Sequence, residues 1–382
     1  MVPNPFVYGE VVTATAFADR EQERERLGRD LAEGQKIFLI SPRRYGKSSL
    51  IRGVMKTLAA QRVLTVEVTV AASSSYVGFL EAYARALLSA DTPPSGLRRW
   101  TAELLKSVRP ELRFDAQPAG QPRFSVTFPA VRSARDTARL ASEVFALPSR
   151  IAAARRQRMA IALDEFQTIA AFDGATVEHA LRAAVQDQRS VGYVFAGSEP
   201  SLMERMLTPR RPFYKAGPVV RLGKIDERVF ADFIDEKFAG SGIRTQDGLG
   251  GAIVELAENV PYDVQRLAHE TWDDVRAAGR KSAGLEDLHM TLGRLLDEQH
   301  TVFEESWQRL TLAQRAVVRA VVLESGRELL SAGVRVRHRL PGASSVQSAL
   351  AALVRQDIVM KDRGRYVVND SLYREWMARR TF

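Results

Sequence analysis

Apolar and polar positions alternate between two regimes along the first 225 residues. Short apolar runs occur at Ile37-Phe38-Leu39-Ile40, Val63 to Val68, Met159 to Leu163, Gly192 to Gly197 and Val219 to Leu222. The third run is apolar throughout, which is the signature of a strand buried on both faces. Helical periodicity fills the intervals, so the pattern predicts a parallel sheet with crossover helices. The interval between the second and third runs is unusually long. There PELRFDA and QPRFSVTF flank Pro118-Ala119-Gly120, which predicts a β-hairpin.

From Asp226 to about Glu298 the pattern is helical, with breaks at Gly240-Ser241-Gly242, Pro261 and Gly284. After Glu304, helices are predicted over Leu312 to Leu323 and Ser345 to Val354. Asp357 to Met360 then leads through Lys361-Asp362-Arg363-Gly364 into Arg365 to Val368. Helices followed by a hairpin with a charged Gly turn describe a winged helix. The expected organisation is an α/β core over 1–225 with an insert at about 91–158, a helical lid subdomain over 226–300, and a winged-helix domain over 301–382.

The first apolar run opens directly into Ser41-Pro42-Arg43-Arg44-Tyr45-Gly46-Lys47-Ser48-Ser49. A strand, a loop ending in Gly-Lys-Ser and a following helix form the P-loop pattern. Backbone N–H groups of such a loop cradle phosphate oxygens. Lys47 supplies a point charge to the β- and γ-phosphates, and the Ser48 hydroxyl can ligate Mg²⁺. Arg43 and Arg44 are candidates for phosphate or for an acidic partner, whereas Tyr45 is expected to pack. The usual first Gly of the pattern is Ser41 here, and serine cannot reach every conformation open to glycine.

The third run ends in Asp164-Glu165, placing two carboxylates at the ligand-binding edge of an open parallel sheet. Asp164 is the candidate Mg²⁺ ligand. Glu165 is the candidate base for the water that attacks the γ-phosphate. Strands often end in acids, so neither half is decisive alone, but their coexistence in one α/β region points to an ATP site. Ser198, at the end of the fourth run, either touches the γ-phosphate or the attacking water, or caps the next helix.

Charge adds a possible partner. The 382-residue chain carries a net charge of +9 and has 45% apolar residues. Residues 98–158 hold 13 Lys+Arg against 5 Asp+Glu, and residues 301–382 hold 14 against 8, whereas residues 159–300 hold 16 against 23. Such segregation suits a polyanion, most often nucleic acid, although an Arg-rich solvated surface produces the same count. There is no Cys, which excludes disulfides, Cys-ligated zinc and thiol catalysis. The five His residues lack metal-ligand spacing, so Mg²⁺ with ATP or ADP is the metal expected. No run approaches a membrane span, and MVPNPFVYGE shows no signal-peptide pattern. A soluble cytoplasmic protein is expected.

With these pieces in view, the chain resembles the AAA+-related archaeal-type ATPase family, which borders the STAND and origin-initiator (Orc/Cdc6-like) clades. The matching segments are NPFVYG with FADREQERERL, SPRRYGKSSL, ALDEFQ, GSEPSLMERMLTPRRPFY and NVPYDVQRLAHETW, spanning residues 4 to about 275. The resemblance implies an AAA+-like P-loop ATPase working as a homo-oligomer. It places Arg20, within Asp19-Arg20-Glu21, near the adenine, and Arg211 where relatives carry a trans-acting arginine finger. Arg266, on the lid helix, stands where a sensor arginine is found. For Arg211 a solvated turn, and for Arg266 a surface position, remain open readings.

If the winged helix binds double-stranded DNA, Arg335, Arg337, Arg339, Lys361, Arg363 and Arg365 are the residues expected to meet it, with the basic insert as a second candidate surface. Ser344-Ser345 are read as N-cap and phosphate contacts, with Gln347 as the one base reader. A protein client docked on the same domain is the competing use. A STAND-type nucleotide switch or signalling scaffold is the alternative function.

Overall fold

The computed structural model describes residues 2–10, 17–91, 110–115, 123–173, 175–362 and 364–380. The chain forms two compact units, Val11–Gly223 and a second made of Met1–Glu10 with Lys224–Phe382.

The first unit is built on strands β1 (Lys36–Ile40), β2 (Leu64–Thr69), β5 (Met159–Asp164), β6 (Val191–Gly197) and β7 (Val219–Arg221), with β3 (Glu111–Asp115) and β4 (Arg123–Thr127) outside the main sheet. The five form one parallel sheet in the order β2-β5-β6-β1-β7. Alternation explains why β1 is apolar at every buried position. Phe38 and Ile40 join the core beneath helices Tyr76–Asp91, Ala134–Arg155 and Ala175–Gln186. Ile37 and Leu39 join the opposite core, with helices Glu21–Ala32 and Lys47–Ala60. Burial of each such side chain contributes about 1.5–3 kcal/mol, so polar residues are excluded from both faces.

β3 and β4 pair antiparallel with Phe114 opposite Phe124, as the insert's pattern predicts. The expected turn at Pro118-Ala119-Gly120 lies outside the described residues, as do residues 92–109 and 116–122 of the basic insert.

The second unit begins with helices Glu227–Gly240, Leu249–Leu256, Pro261–Ala277 and Leu285–Gln308. The last of these runs unbroken past residue 300. Residues 2–10 pack on this unit: Phe6 lies 5.1 Å from Phe238, ring to ring, and the Tyr8 hydroxyl donates to Glu270 Oε1 at 2.5 Å. Beyond follow helices Leu312–Leu323, Ala332–Arg337 and Ala343–Arg355, an antiparallel hairpin Val359–Asp362 with Arg365–Val368, and helix Ser371–Arg379.

One expectation is corrected here. Ser344-Ser345 do not cap their helix, because Gly342 is the N-cap residue and supplies no side-chain bond. The two serines lie in the first turn and are exposed. Arg363 lies outside the described residues. Among those described, no helix is long and apolar enough to cross a membrane.

Candidate functional site

Three adjacent strand ends build the site: β5 delivers Asp164 and Glu165, β6 delivers Ser198, and β1 opens into the loop from Ser41 to Lys47. Their order in the sheet fixes this convergence. Phe166 anchors the acidic turn from below. Fully buried, it packs 4.7 Å from Phe195 and 5.3 Å from Phe213, ring to ring. Immediately before it, Glu165 adopts a left-handed backbone, φ 53°.

Ser41 proves to be an ordinary residue in this loop. It is fully buried, its φ is not positive, and its N–H donates to Gly197 O at 3.2 Å. That bond continues the β1–β6 register, in which Ile40 faces Gly197. The position asks for no glycine conformation. Left-handed geometry falls instead on Arg44, φ 68°, and Gly46, φ 83°. A Cβ on Gly46 would point into open space, at the start of helix Lys47–Ala60, whose first turn has no side-chain cap. An uncapped helix start leaves N–H groups to an outside acceptor.

Lys47 is 5% exposed. Its ammonium donates to Asp164 Oδ1 and lies 3.3 Å from Glu165 Oε1. The Ser48 hydroxyl donates to Asp164 Oδ2 at 3.0 Å. Glu165 Oε2 accepts from Ser198 Oγ at 2.5 Å and from Gln167 Nε2 at 2.7 Å. Burial pushes the Glu165 carboxyl up, but these bonds and the Lys47 charge outweigh it and hold the group below its ordinary range. The carboxylate is therefore ionised at neutral pH.

The donor set suits Mg²⁺. Ser48 and Asp164 offer hard oxygen donors in one shared contact, and no group of three or more His, Asp or Glu that could by itself hold a metal ion occurs among the described residues. Mg²⁺ characteristically takes one or two protein oxygens and completes its shell with phosphates and water.

Ser198 does not cap the following helix, since Pro200–Met206 has Glu199 at its N-cap. Three arginines are engaged elsewhere. Arg20 is buried and donates to Gly223 O and, at 2.8 Å, to Glu23. Arg211 Nη2 bonds Glu178 Oε1 at 2.6 Å, and the Glu178 side chain is fully buried. Burial raises the Glu178 carboxyl, with Arg211 opposing. Arg266, in the second unit, faces the Gln299 amide oxygen, with Nη1 at 3.2 Å in the amide orientation that satisfies both. Tyr45 is buried, as expected, while Arg43 and Arg44 are exposed.

Two residues escape a sequence reading. Gln167 could have been sought two positions beyond the acids, whereas Glu178 sits in an ordinary amphipathic helix with no distinguishing signal.

Comparison with known proteins agrees with this architecture. A family model described as "Probable winged helix domain" matches residues 301–379. The Walker-type ATPase PABY2304 of Pyrococcus abyssi superposes over 98% of this chain and 99% of its own, at 16% identity and a TM-score of 0.62. The Aeropyrum pernix ORC1 protein, solved in complex with DNA, covers 99% and 94% at 14% identity and a TM-score of 0.51. The Aeropyrum pernix ORC2 protein, solved in ADPNP–ADP complexes, covers 99% and 96% at 13% identity and a TM-score of 0.52. Curated protein sequences provide no match. The chain accordingly has the fold of the Walker-type, origin-initiator-like P-loop ATPases, with a winged-helix domain at its C-terminal end.

Proposed function

We propose that this protein is a Mg²⁺-dependent ATPase whose turnover drives conformational change on DNA. The observation carrying the reading is the convergence of Lys47, Ser48, Asp164, Glu165 and Ser198 at one uncapped helix start. Lys47 offers its charge to the β- and γ-phosphates of ATP, and the loop from Ser41 to Ser49 wraps them with backbone N–H groups. Ser48 and Asp164 would hold Mg²⁺, which supplies charge neutralisation on the phosphate oxygens. Glu165 takes a proton from the attacking water as the new P–O bond forms. The β–γ bridging oxygen leaves with the electron pair of its P–O bond, giving ADP and phosphate. Ser198 steadies the carboxylate during that transfer.

A positioned base contributes about 10²–10⁴ in rate. Glu165→Gln should therefore lose turnover by about that factor while still binding ATP, and Lys47→Ala should lose binding. Undiminished turnover in Glu165→Gln, or no ATP affinity in the wild type, overturns the reading.

The DNA association rests on the +6 surplus of residues 301–382 together with the winged helix, and the ORC1 neighbour was solved with DNA. Homo-oligomeric assembly in the cytoplasm is part of the same reading. One pair of contacts favours a second reading, a slow nucleotide switch. Lys47 and Arg211 are both engaged by carboxylates of their own chain, and a protein client would then occupy the winged helix.

A further inference from the structure

Gln167 lies in the tight turn Phe166–Ile169 and is 4% exposed. Its Nε2 donates to Glu165 Oε2 at 2.7 Å and reaches Glu199 Oε1 at 3.5 Å. Both amide protons thus face carboxylates, one from the end of β5 and one from beyond β6. Turning the amide over would aim its oxygen at those same two anions, so electrostatics select the observed orientation.

That orientation has a cost. Gln167 Oε1 is buried with no hydrogen-bond partner. A buried unsatisfied carbonyl is rare in folded proteins and asks for a reason. An isosteric Met would fill the same space without the cost, so the position retains its donor for something other than packing. The opposite wall has been cleared for it. A Cβ on Gly197 would come within 2.7 Å of Gln167 Oε1 and 2.3 Å of Met203 Cγ.

Two of the three side-chain donors on Glu165 fall on Oε2, since Ser198 Oγ also donates there. Oε1 carries neither of those bonds and, among the described residues, accepts only from Lys47, at 3.3 Å, the longest of the three. The two oxygens of this carboxylate have different jobs. We propose that Gln167 is a positioning residue that, together with Ser198, anchors Glu165 through Oε2 and so presents Oε1 as the oxygen that receives the proton of the attacking water. The inference rests on the ATPase reading above and adds to it a residue and a choice of oxygen.

The test compares Gln167→Met with wild type, alone and in a Glu165→Gln background. Loss of a hydrogen bond to a charged base should reduce kcat roughly tenfold. The affinity for a fluorescent ATP analogue should stay within about twofold, because no phosphate contact is removed. The thermal midpoint should hold or rise, since the unsatisfied oxygen disappears with the donor. In the Glu165→Gln background the same change should leave residual turnover unaltered.

A kcat within twofold of wild type, or an equal further loss in the Glu165→Gln background, overturns the inference and leaves the ATPase reading intact. A fall in thermal midpoint with kcat unchanged assigns Gln167 to packing and overturns it likewise. Wild type and Glu165→Gln turning over ATP equally would instead sink the ATPase reading, and this inference with it.

Discussion

Arg211 has a partner that no pattern in the sequence announces. Its guanidinium is about one-third exposed and bonds a carboxylate with no exposure at all. Removing it strands Glu178 in the core, and breaking a buried pair typically costs about 3–5 kcal/mol. Partial exposure of Arg211 lowers the expectation to about 2 kcal/mol for Arg211→Ala, readable as a lower denaturant midpoint. Double substitution with Glu178→Gln should recover much of that loss. Full stability in Arg211→Ala would show that the pair contributes nothing. The same contact means that any activity lost in Arg211→Ala has to be compared at matched folded fraction.

Residues at the edges of apolar runs were legible in advance. Lys47, Ser48, Asp164 and Glu165 announce themselves because a buried strand gives way abruptly to polar chemistry. Ser198 was legible as a position but not as a role, which depends on a side-chain rotamer. Serine at position 41 carries no conformational penalty, because the left-handed positions of this loop are Arg44 and Gly46.

At the scale of elements, residues 2–10 form a strap tied to helix Pro261–Ala277 by several polar bonds. Asn4 Nδ2 donates to His269 O at 3.1 Å and to Asp273 at 2.9 Å, and Val7 N–H donates to Gln265 at 3.3 Å. Tyr8 is the titrating member. Burial, and then its bond to Glu270 and that carboxylate's charge, push its hydroxyl from 10.0 up to about 12. A raised folded-state value means that the contact is fully present below the unfolded value and is lost as pH climbs through the folded one. Tyr8→Phe should therefore cost about 1 kcal/mol near pH 8, discounted for partial exposure. The difference between the two proteins should close between pH 10 and about 12. A gap that persists unchanged across that window would mean the hydroxyl contributes through packing alone.

Nothing in NPFVYG shows that it folds on a helix some 260 positions away, because such a contact leaves no periodicity. The short strands Arg244–Thr245 and Ser282–Ala283 were invisible for a related reason. Two residues cannot display a period of two. The long elements were readable because tertiary burial had already imposed its period on them.

For the molecule as a whole, formal charge overstates what the winged helix can offer a polyanion. Arg337 bonds Glu324 at 2.6 Å, Arg365 lies 3.7 Å from Glu258, and Arg380 lies 2.6 Å from Glu304. No carboxylate among the described residues pairs with Arg339 or Lys361. Helix Ala343–Arg355 adds an uncapped first turn with Ser344 and Ser345 exposed, suited to backbone phosphates rather than base edges. DNA binding by this domain should accordingly be weakly sequence-dependent and steeply salt-dependent, with each neutralised phosphate contributing about 0.9 to the slope of log K against log salt. Arg339→Ala and Lys361→Ala should each lower the slope by about that amount. Arg365→Ala should change it less, because Glu258 already takes part of that charge. Fluorescence anisotropy of the full chain on a duplex between about 50 and 200 mM salt reads these differences. Equal effects from all three substitutions would show that the ion pairs do not persist on DNA. A slope near zero would remove nucleic acid as the partner and leave the winged helix to a protein client, because a surface that releases no counterions is not reading a phosphate backbone.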